Sequence, residues 1–333
     1  MKHARRIAAI LVLLALILGG RYTPGTTTQT EFLMDTIMTV TAYGRHGKAA
    51  VSAVFKRFRE LDAMLNVHNP QSDLARLNAA PAGEPIPVSR ELCVLLQNAL
   101  SFSKRSGGAF DCTLLAVSDV WGFGTDHAAV PSAAALRAAL AETGPDTVLA
   151  DEASCTVTKT KSGTRLDLGG AAKGYAADEA LRILREHNVQ SAYLDLGGNV
   201  AVMGGKPLSV WQSLIKGRKT RPFTIGLQKP DAPRGEVIDT VTLSDGFVVT
   251  SGDYERYFEA DGTRYHHILD PKTGKPARTG LKSVTVVTQN GTQADMLSTA
   301  LFVLGKDGAK PLFDLCERVI MIDETMTPIQ MKG

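Results

Sequence analysis

The stretch Asp167-Leu168-Gly169-Gly170-Ala171-Ala172-Lys173-Gly174-Tyr175 decides how the chain is read. Residues 163–168 before it are strand-like, and Lys173 to His187 after it carries helical apolar spacing. The spacing predicts a strand, a glycine turn and a helix. Such a turn aims backbone N–H groups at an anion, and the helix dipole favours phosphate there. Lys173 adds a positive charge. The pattern is neither GxGxxG nor a Walker loop. On this segment alone, glycines that merely permit a tight strand-to-helix turn are the preferred reading. Asp167-Leu168-Gly169-Gly170 returns as Asp195-Leu196-Gly197-Gly198, which reads either as an internal duplication or as coincidence in a Gly-rich chain.

Outward from this stretch, residues 33–43 and 191–196 read as strands, with helices over Lys48 to Leu65, Ser89 to Phe102 and Ala133 to Ala141. Short strands are predicted at 146–150 and 154–159. Downstream, strands are predicted at 199–203, 222–228, 236–243, 246–250, 263–269, 283–288 and 318–322, and helices at 293–304 and 307–316. Helices and strands alternate without a regular βαβ beat. The fold class expected is α+β, with largely antiparallel or mixed sheets and flanking helices rather than a doubly wound parallel sheet.

The N-terminus reads as an address. Lys2, Arg5 and Arg6 precede an unbroken apolar run from Ile7 to Leu18, the pattern of an export signal. Those residues are fewer than the about 20 that a bilayer core of ~30 Å requires. The Thr-rich stretch Thr26 to Thr30 reads as a tether. The expected organisation is therefore 1–30 as signal or anchor and tether, and 31–333 as one functional domain, placed outside the cytoplasm and associated with a membrane. A lipoprotein would need a Cys after Gly19-Gly20, where Arg21 stands.

Composition narrows the function classes. With 44% apolar and 21% charged residues in 333, the chain can bury a sizeable core, which excludes a disordered chain. Without Lys2, Arg5, Arg6 and Arg21, which are accompanied by no acid, the net charge of +3 becomes −1. That balance gives no support to a nucleic-acid partner. Cys93, Cys112, Cys155 and Cys316 form no CxxC pair and read as small core hydrophobes.

Five further segments carry candidate chemistry. Asp295, Ser298 and Thr299 stand at i, i+3 and i+4 of a predicted helix, so three oxygens share a face suited to Mg²⁺; an Asp that merely faces the helix dipole is the plainer reading. His266 and His267 end a predicted strand, so only one of them faces a given site, and that one is a candidate base. Asp270-Pro271-Lys272-Thr273-Gly274 behind them reads as turn chemistry. Gly107-Gly108-Ala109-Phe110-Asp111 and Trp121-Gly122-Phe123-Gly124 set aromatics among glycines, fitting a flat ligand or an ordinary core. Thr250-Ser251-Gly252-Asp253-Tyr254 offers small hydroxyls at a strand end. His68 reads as a loop histidine, and Trp211 with Lys216, Arg218, Lys219 and Arg221 as a solvated loop.

Taken in order, these segments resemble the ApbE-type FAD:protein FMN transferase family. The resemblance rests on Met34-Asp35-Thr36, Ser72 to Asn78, Gly108 to Asp111, Trp121 to Gly124, Asp167 to Tyr175, Leu196 to Asn199, Thr250 to Tyr254, His267 to Gly274 and Ala294 to Thr299. It spans nearly the whole chain after the N-terminal segment. It implies an enzyme that binds FAD and uses Mg²⁺ to move FMN onto a Thr or Ser hydroxyl of an acceptor flavoprotein, of the membrane redox-complex type, releasing AMP. By resemblance, Asp295, Thr299 and the Gly170 carbonyl hold Mg²⁺, with Ser298 beside them. Met34, Ala109, Phe110, Asp111, Asp167 and Lys173 line the FAD site, and Ser251 is counted with them. His267 lies at the pyrophosphate as the catalytic base.

Two departures from the family pattern stand inside the site. The family often has Tyr where His68 stands, and His68 is expected to stack on the ligand less well. It often has a second Asp where Ser298 stands. A Mg²⁺-dependent FAD pyrophosphatase and a non-catalytic flavin binder are the alternative readings. A base and a metal at the pyrophosphate weigh against pure binding.

Overall fold

The computed structural model describes residues 25–332. The export segment lies outside them. Eight strands form one sheet: β1 (Thr26–Leu33), β2 (Thr36–Tyr43), β3 (Ser191–Leu196), β4 (Asn199–Met203), β5 (Gly246–Gly252), β6 (Leu281–Thr288), β7 (Arg318–Asp323) and β8 (Pro328–Lys332). They lie side by side in chain order, and every neighbouring pair is antiparallel. The sheet is thus a meander whose connections have grown into helices and hairpins, an α+β fold as the sequence implies.

Among the described residues eight helices accompany it: α1 (Gly47–Leu65), α2 (Asp73–Ala79), α3 (Arg90–Arg105), α4 (Leu115–Trp121), α5 (Ala133–Leu140), α6 (Gly169–Glu186), α7 (Val210–Lys216) and α8 (Gly291–Gly308). The main core joins α1, α3, α6 and α8 to one face of the sheet through Phe55, Phe58, Leu96, Leu181, Leu297 and Phe302, set against Met38, Val40, Leu194 and Val284. On the other face, the hairpin 223–228/237–243 packs Phe223, Ile225, Leu227 and Val241 onto Val200, Val202, Val248 and Val287. β4 is covered on both faces, so it reads as a continuous apolar run and not as an alternating one. A third, smaller cluster gathers Trp121, Val117, Leu136 and Leu269 with Phe123, Phe258 and Tyr265.

Several sequence expectations need correction. Residues 33–43 are not one strand: Met34 and Asp35 both have positive φ, 51° and 57°, and form the two-residue turn between β1 and β2. Thr26–Thr30, expected as a tether, is part of edge strand β1, because its backbone pairs with β2 and Thr28 and Thr30 meet Thr41 and Thr39 across the ladder. Residues 163–168 are not a strand. They make a single bridge, Leu114 to Arg165, while the Asn78 side chain takes both backbone groups of Leu166. Trp211 and Lys216, expected in a loop, lie in helix α7, which is capped by Ser209 and Gln212 in a capping box, while Arg218, Lys219 and Arg221 follow it in non-helical chain. The predicted helix at 307–316 is the tail of α8, broken at Gly305 (φ 67°), followed by a 3-10 turn, Lys310–Leu315. Helices α2 and α4 and strand β8 have no counterpart in the sequence reading.

The Asp-Leu-Gly-Gly repeat is not a structural repeat. Gly169 and Gly170 open helix α6, whereas Gly197 (φ 66°) and Gly198 (φ 93°) make the tight turn between β3 and β4. A side chain at Gly197 would run into Thr36. Cys93 and Cys112 are core residues as expected, but Cys155 sits half-exposed in a turn at φ 51°.

Asn78 is the cheapest single residue with which to test this scaffold. It substitutes a side chain for a missing strand partner, and its loss leaves two backbone groups of buried Leu166 unpaired. Asn78→Ala is expected to cost about 1–3 kcal/mol, read as a lower urea midpoint with unchanged slope.

Candidate active site

The site forms where α6 and α8 cross at the sheet. Gly174 and Gly291 make that approach: a methyl on Gly174 would meet the Gly291 carbonyl, and one on Gly291 would meet the Gly174 carbonyl and Phe247. Two carboxylates fasten the contact. Asp178 of α6 accepts hydrogen bonds from the Gly291 and Thr292 N–H groups, both at 2.8 Å, and from the Thr292 hydroxyl at 2.7 Å. In return, Asp295 of α8 accepts from the Gly174 N–H through Oδ2 at 2.9 Å. Asp295 is therefore more than a dipole partner; it is buried and turned toward α6.

Lys173, one residue earlier, places Nζ 3.8 Å from Asp295 Oδ1 and donates to the Gly169 carbonyl at 3.1 Å. Thr299 is half-buried and lies close to Gly170. Ser298 is fully enclosed; its hydroxyl donates to the Asp295 carbonyl at 3.0 Å and meets Ser251 Oγ at 2.8 Å. Ser251, from the end of β5, also lies 3.3 Å from Thr299 Oγ1. The structure thus brings Gly170, Lys173, Ser251, Asp295, Ser298 and Thr299 to one place.

Other candidates stand around it. Asp167 is exposed at the mouth of α6, and its carboxylate accepts from the Gly169 N–H at 2.8 Å. Ala109 and Phe110 are buried, with the Phe110 ring edge behind Gly170 and T-shaped on Phe102. They form the floor beneath the helix terminus. Asp111 accepts from the N–H and hydroxyl of Thr113, while burial still pushes its carboxyl above the usual range. Met34 sits in its left-handed turn with its N–H donating to the Asp62 carboxylate. Arg256 holds the same turn through the Asp35 carbonyl at 3.4 Å. Left-handed backbone at a Met is costly, and here the two-residue hairpin turn imposes it. His68 is exposed in the turn after α1, near enough to Asp119 for its charge to act there.

The two histidines part, although the strand predicted over 263–269 ends at His266 and His267 lies just beyond it. His266 is buried against Phe302, with Nε2 3.0 Å from the Ala277 carbonyl, and burial pushes its pKa down to about 4. His267 turns the other way, with Nδ1 3.2 Å from the Arg256 carbonyl. Desolvation, then the Arg256 charge, pushes its imidazole well below the ordinary value, and the Lys173 charge is felt there too. Both rings are therefore neutral at pH 7, and His267 is the one on which the Lys173 charge of α6 acts.

Sequence reasoning missed Asp178 and Asp62. Neither carries a motif signal of its own; an Asp on a helix face reads as solvated. It also left Trp121 and Phe123 open as a flat-ligand platform. They stack on each other and on Phe258 and Tyr265, and the Trp121 indole donates to the Gly274 carbonyl at 2.7 Å. They are core. The Asp270 turn is likewise structural, its carboxylate holding Lys272 and Thr273.

A glycine-tight helix crossing beside an antiparallel meander sets a lysine, a buried aspartate and hydroxyls near a helix N-terminus, a set of groups suited to an anion and a hard cation. The model of the ApbE family matches residues 34–321, and the chain belongs to that family. It is similar to the FAD:protein FMN transferase of Treponema pallidum, 38% identical over 296 residues, covering 86% of this chain and 81% of that protein. The FAD:protein FMN transferase of Klebsiella pneumoniae is 38% identical over 260 residues, covering 78% and 77%. Among solved structures, the ApbE protein of Thermotoga maritima superposes with a TM-score of 0.82 at 32% identity, covering 93% and 97%. The apo flavinyl transferase ApbE of Pseudomonas stutzeri gives 0.77 at 31%, covering 94% and 96%.

Two measurements test this geometry. Gly174→Ala must separate α6 from α8 and is expected to cost about 1–3 kcal/mol or more, read in urea, with loss of ligand affinity. The histidines set an acid limit. Below about pH 6.5 the unfolded chain takes up protons that the native rings refuse, so stability falls as pH drops from there toward His266's folded value of about 4. His266→Gln is expected to flatten that part of the stability–pH curve by about one proton, whatever its effect at pH 7.

Proposed function

We propose that this chain is an FAD:protein FMN transferase that moves the FMN half of FAD onto a Thr or Ser hydroxyl of an acceptor protein and releases AMP. The observation that carries the reading is the Gly174–Asp295 bond. It gathers a carboxylate, two hydroxyls and a lysine at the open N-terminus of α6.

The donor set suits Mg²⁺. Asp295, Thr299 and the Gly170 carbonyl are all oxygen ligands, with Ser298 where relatives often carry a carboxylate. Among the described residues no three His, Cys, Asp or Glu side chains form a metal cage. One carboxylate with neutral oxygens leaves room for substrate phosphates and water, as Mg²⁺ prefers. Bound there, the ion supplies charge neutralisation for the pyrophosphate.

The chain's own groups do the rest. The α6 terminus and Lys173 bind the phosphates. The Met34 turn, Asp111, Asp167 and Ser251 position the ligand over the floor formed by Ala109 and Phe110. His267, neutral at pH 7, accepts the proton of the acceptor hydroxyl as its oxygen bonds to the FMN phosphorus and the bond to AMP breaks. The low basicity of the free ring rises when a pyrophosphate anion lies beside it. By the same reading, Lys2, Arg5, Arg6 and the run Ile7 to Leu18 export the protein and hold it at the outer side of a membrane, where the acceptor is a membrane redox subunit. Among the described residues no helix is long and apolar enough to cross a bilayer.

The deciding experiment incubates protein, FAD, Mg²⁺ and an acceptor bearing a target Thr. AMP release is measured against FMN mass on the acceptor. Equal amounts are expected; AMP without adduct makes the enzyme a pyrophosphatase, and no AMP leaves only a flavin binder. Asp295→Ala is expected to abolish transfer while much of the FAD binding survives; transfer within a few-fold of the parent overturns the metal assignment. His68 is exposed and smaller than Tyr, which favours some hydrolysis of FAD when no acceptor is present. His68→Tyr is expected to lower that AMP leak relative to transfer.

A further inference from the structure

Four charged side chains form a run of ion pairs that the chemistry described above does not use. Lys282, at the start of β6, places Nζ 3.2 Å from Asp253 Oδ2 and 3.2 Å from Asp231 Oδ2. Asp231 pairs through Oδ1 with Arg264, whose guanidinium also lies 4.0 Å from the centre of the Tyr257 ring. Each of the four comes from a different piece of chain. Asp253 follows β5, and Asp231 stands in the tip of the hairpin 223–228/237–243 that covers the other face of the sheet. Arg264 belongs to the hairpin Tyr257–Ala260/Thr263–His266.

Two of those pieces lead into the site. Asp253 stands two residues past Ser251, the strand-end hydroxyl that meets Ser298 and Thr299. Its N–H donates to the Lys282 carbonyl at 3.0 Å, so the backbone and the side chain of Lys282 both hold the end of β5. The hairpin that carries Arg264 is closed at its base by the His267 N–H, which donates to the Arg256 carbonyl at 3.0 Å. Arg264 is three residues from His267, so a grip on Arg264 is a grip on the mount of that imidazole.

The charges make the link stiff. Asp253 is buried, and desolvation raises its carboxyl above the usual range while Lys282 pulls it back. Among the described residues its Oδ1 has no hydrogen-bond partner. A buried carboxylate that loses its one cation is strongly destabilised, so Lys282 stays with Asp253. Isolated surface pairs contribute little. Here one half-buried ammonium is shared by two carboxylates, and the second of them binds Arg264.

We infer that Lys282 is a positioning residue: through Asp253 on one side and the Asp231–Arg264 pair on the other, it sets where His267 stands relative to the hydroxyls of Ser251, Ser298 and Thr299. This rests on the transfer reading above and adds the residue that spaces its base from its hydroxyls. The hairpin on the far face thereby reaches round the sheet edge and takes part in the geometry of a site it does not line.

A double-mutant cycle tests the inference. FMN transfer to an acceptor bearing a target Thr is followed at saturating FAD for the parent, Lys282→Met, His267→Ala and the double variant, with time enough to measure the slowest. Lys282→Met is expected to lower kcat by roughly 10–100-fold while FAD affinity, read by titration, stays within about three-fold. On the His267→Ala background the same change is expected to cost less than about two-fold. Lys282→Arg keeps a cation between the two carboxylates and is expected to recover most of kcat. Losses that multiply independently, or a Lys282→Met enzyme with the parental kcat, overturn the inference and leave the transfer reading intact. Where Lys282→Met does not fold, as a urea titration shows, Asp231→Asn replaces it in the same cycle; it weakens the link to Arg264 and leaves Lys282 on Asp253. A His267→Ala enzyme as fast as the parent overturns the base assignment and the inference together. A parent that transfers no FMN overturns the transfer reading itself, and the inference with it.

Discussion

The contact between Gly174 and Gly291 is the constraint on which the site depends. Two helices normally stand 8–10 Å apart because side chains fill the gap. Here two glycines remove the side chains, and backbone meets backbone. That closeness lets Asp295 reach a backbone N–H of α6 and lets Asp178 cap the start of α8. A carboxylate buried between helices would be destabilising without such partners. Each acid therefore satisfies the other helix, and the pair sets the distance between the α6 terminus and the hydroxyls of α8.

The meander sheet serves this crossing as a flat support. Because its strands follow in chain order, every insertion leaves and returns along one edge of a hairpin. The connection between β2 and β3 carries α1 to α6, and the one between β6 and β7 carries α8. Both fold onto the same face, where the large core forms. Strand β5 ends with Ser251 under α8, so the sheet supplies a hydroxyl where the two helices supply the carboxylate and the anion pocket. The opposite face is closed by a plain hairpin and carries none of the candidate catalytic groups.

Neutral histidines fit the same logic. His266 fills a hole beside Phe302, where a charge would lack water. At His267 desolvation, and after it the Arg256 charge, opposes protonation, with the Lys173 charge adding to the same effect. Both rings thus stay neutral at pH 7, one inside the core and one beside the start of α6.

The sequence by itself determined the fold class, most strand positions, the glycine pair that leads into helix α6, although that helix begins at Gly169 and not at Lys173, and the different settings of His266 and His267. These follow from local rules: side-chain period, glycine freedom and caps. It also brought together, through the order of its motifs, the residues that the structure gathers between α6 and α8. Only the tertiary structure decided the rest. Residues 163–168 have strand composition, yet a side chain from α2, Asn78, takes the hydrogen bonds a neighbouring strand would have made. Thr26–Thr30 reads as a linker until β2 offers it a ladder. The aromatic-glycine motif at Trp121 is indistinguishable in sequence from a ligand platform, and becomes core because Phe258 and Tyr265 arrive from far along the chain. Asp178 has no local signature, because its role lies wholly in the backbone of another helix. Periodicity records which face of an element is apolar; it does not record which distant element will cover that face.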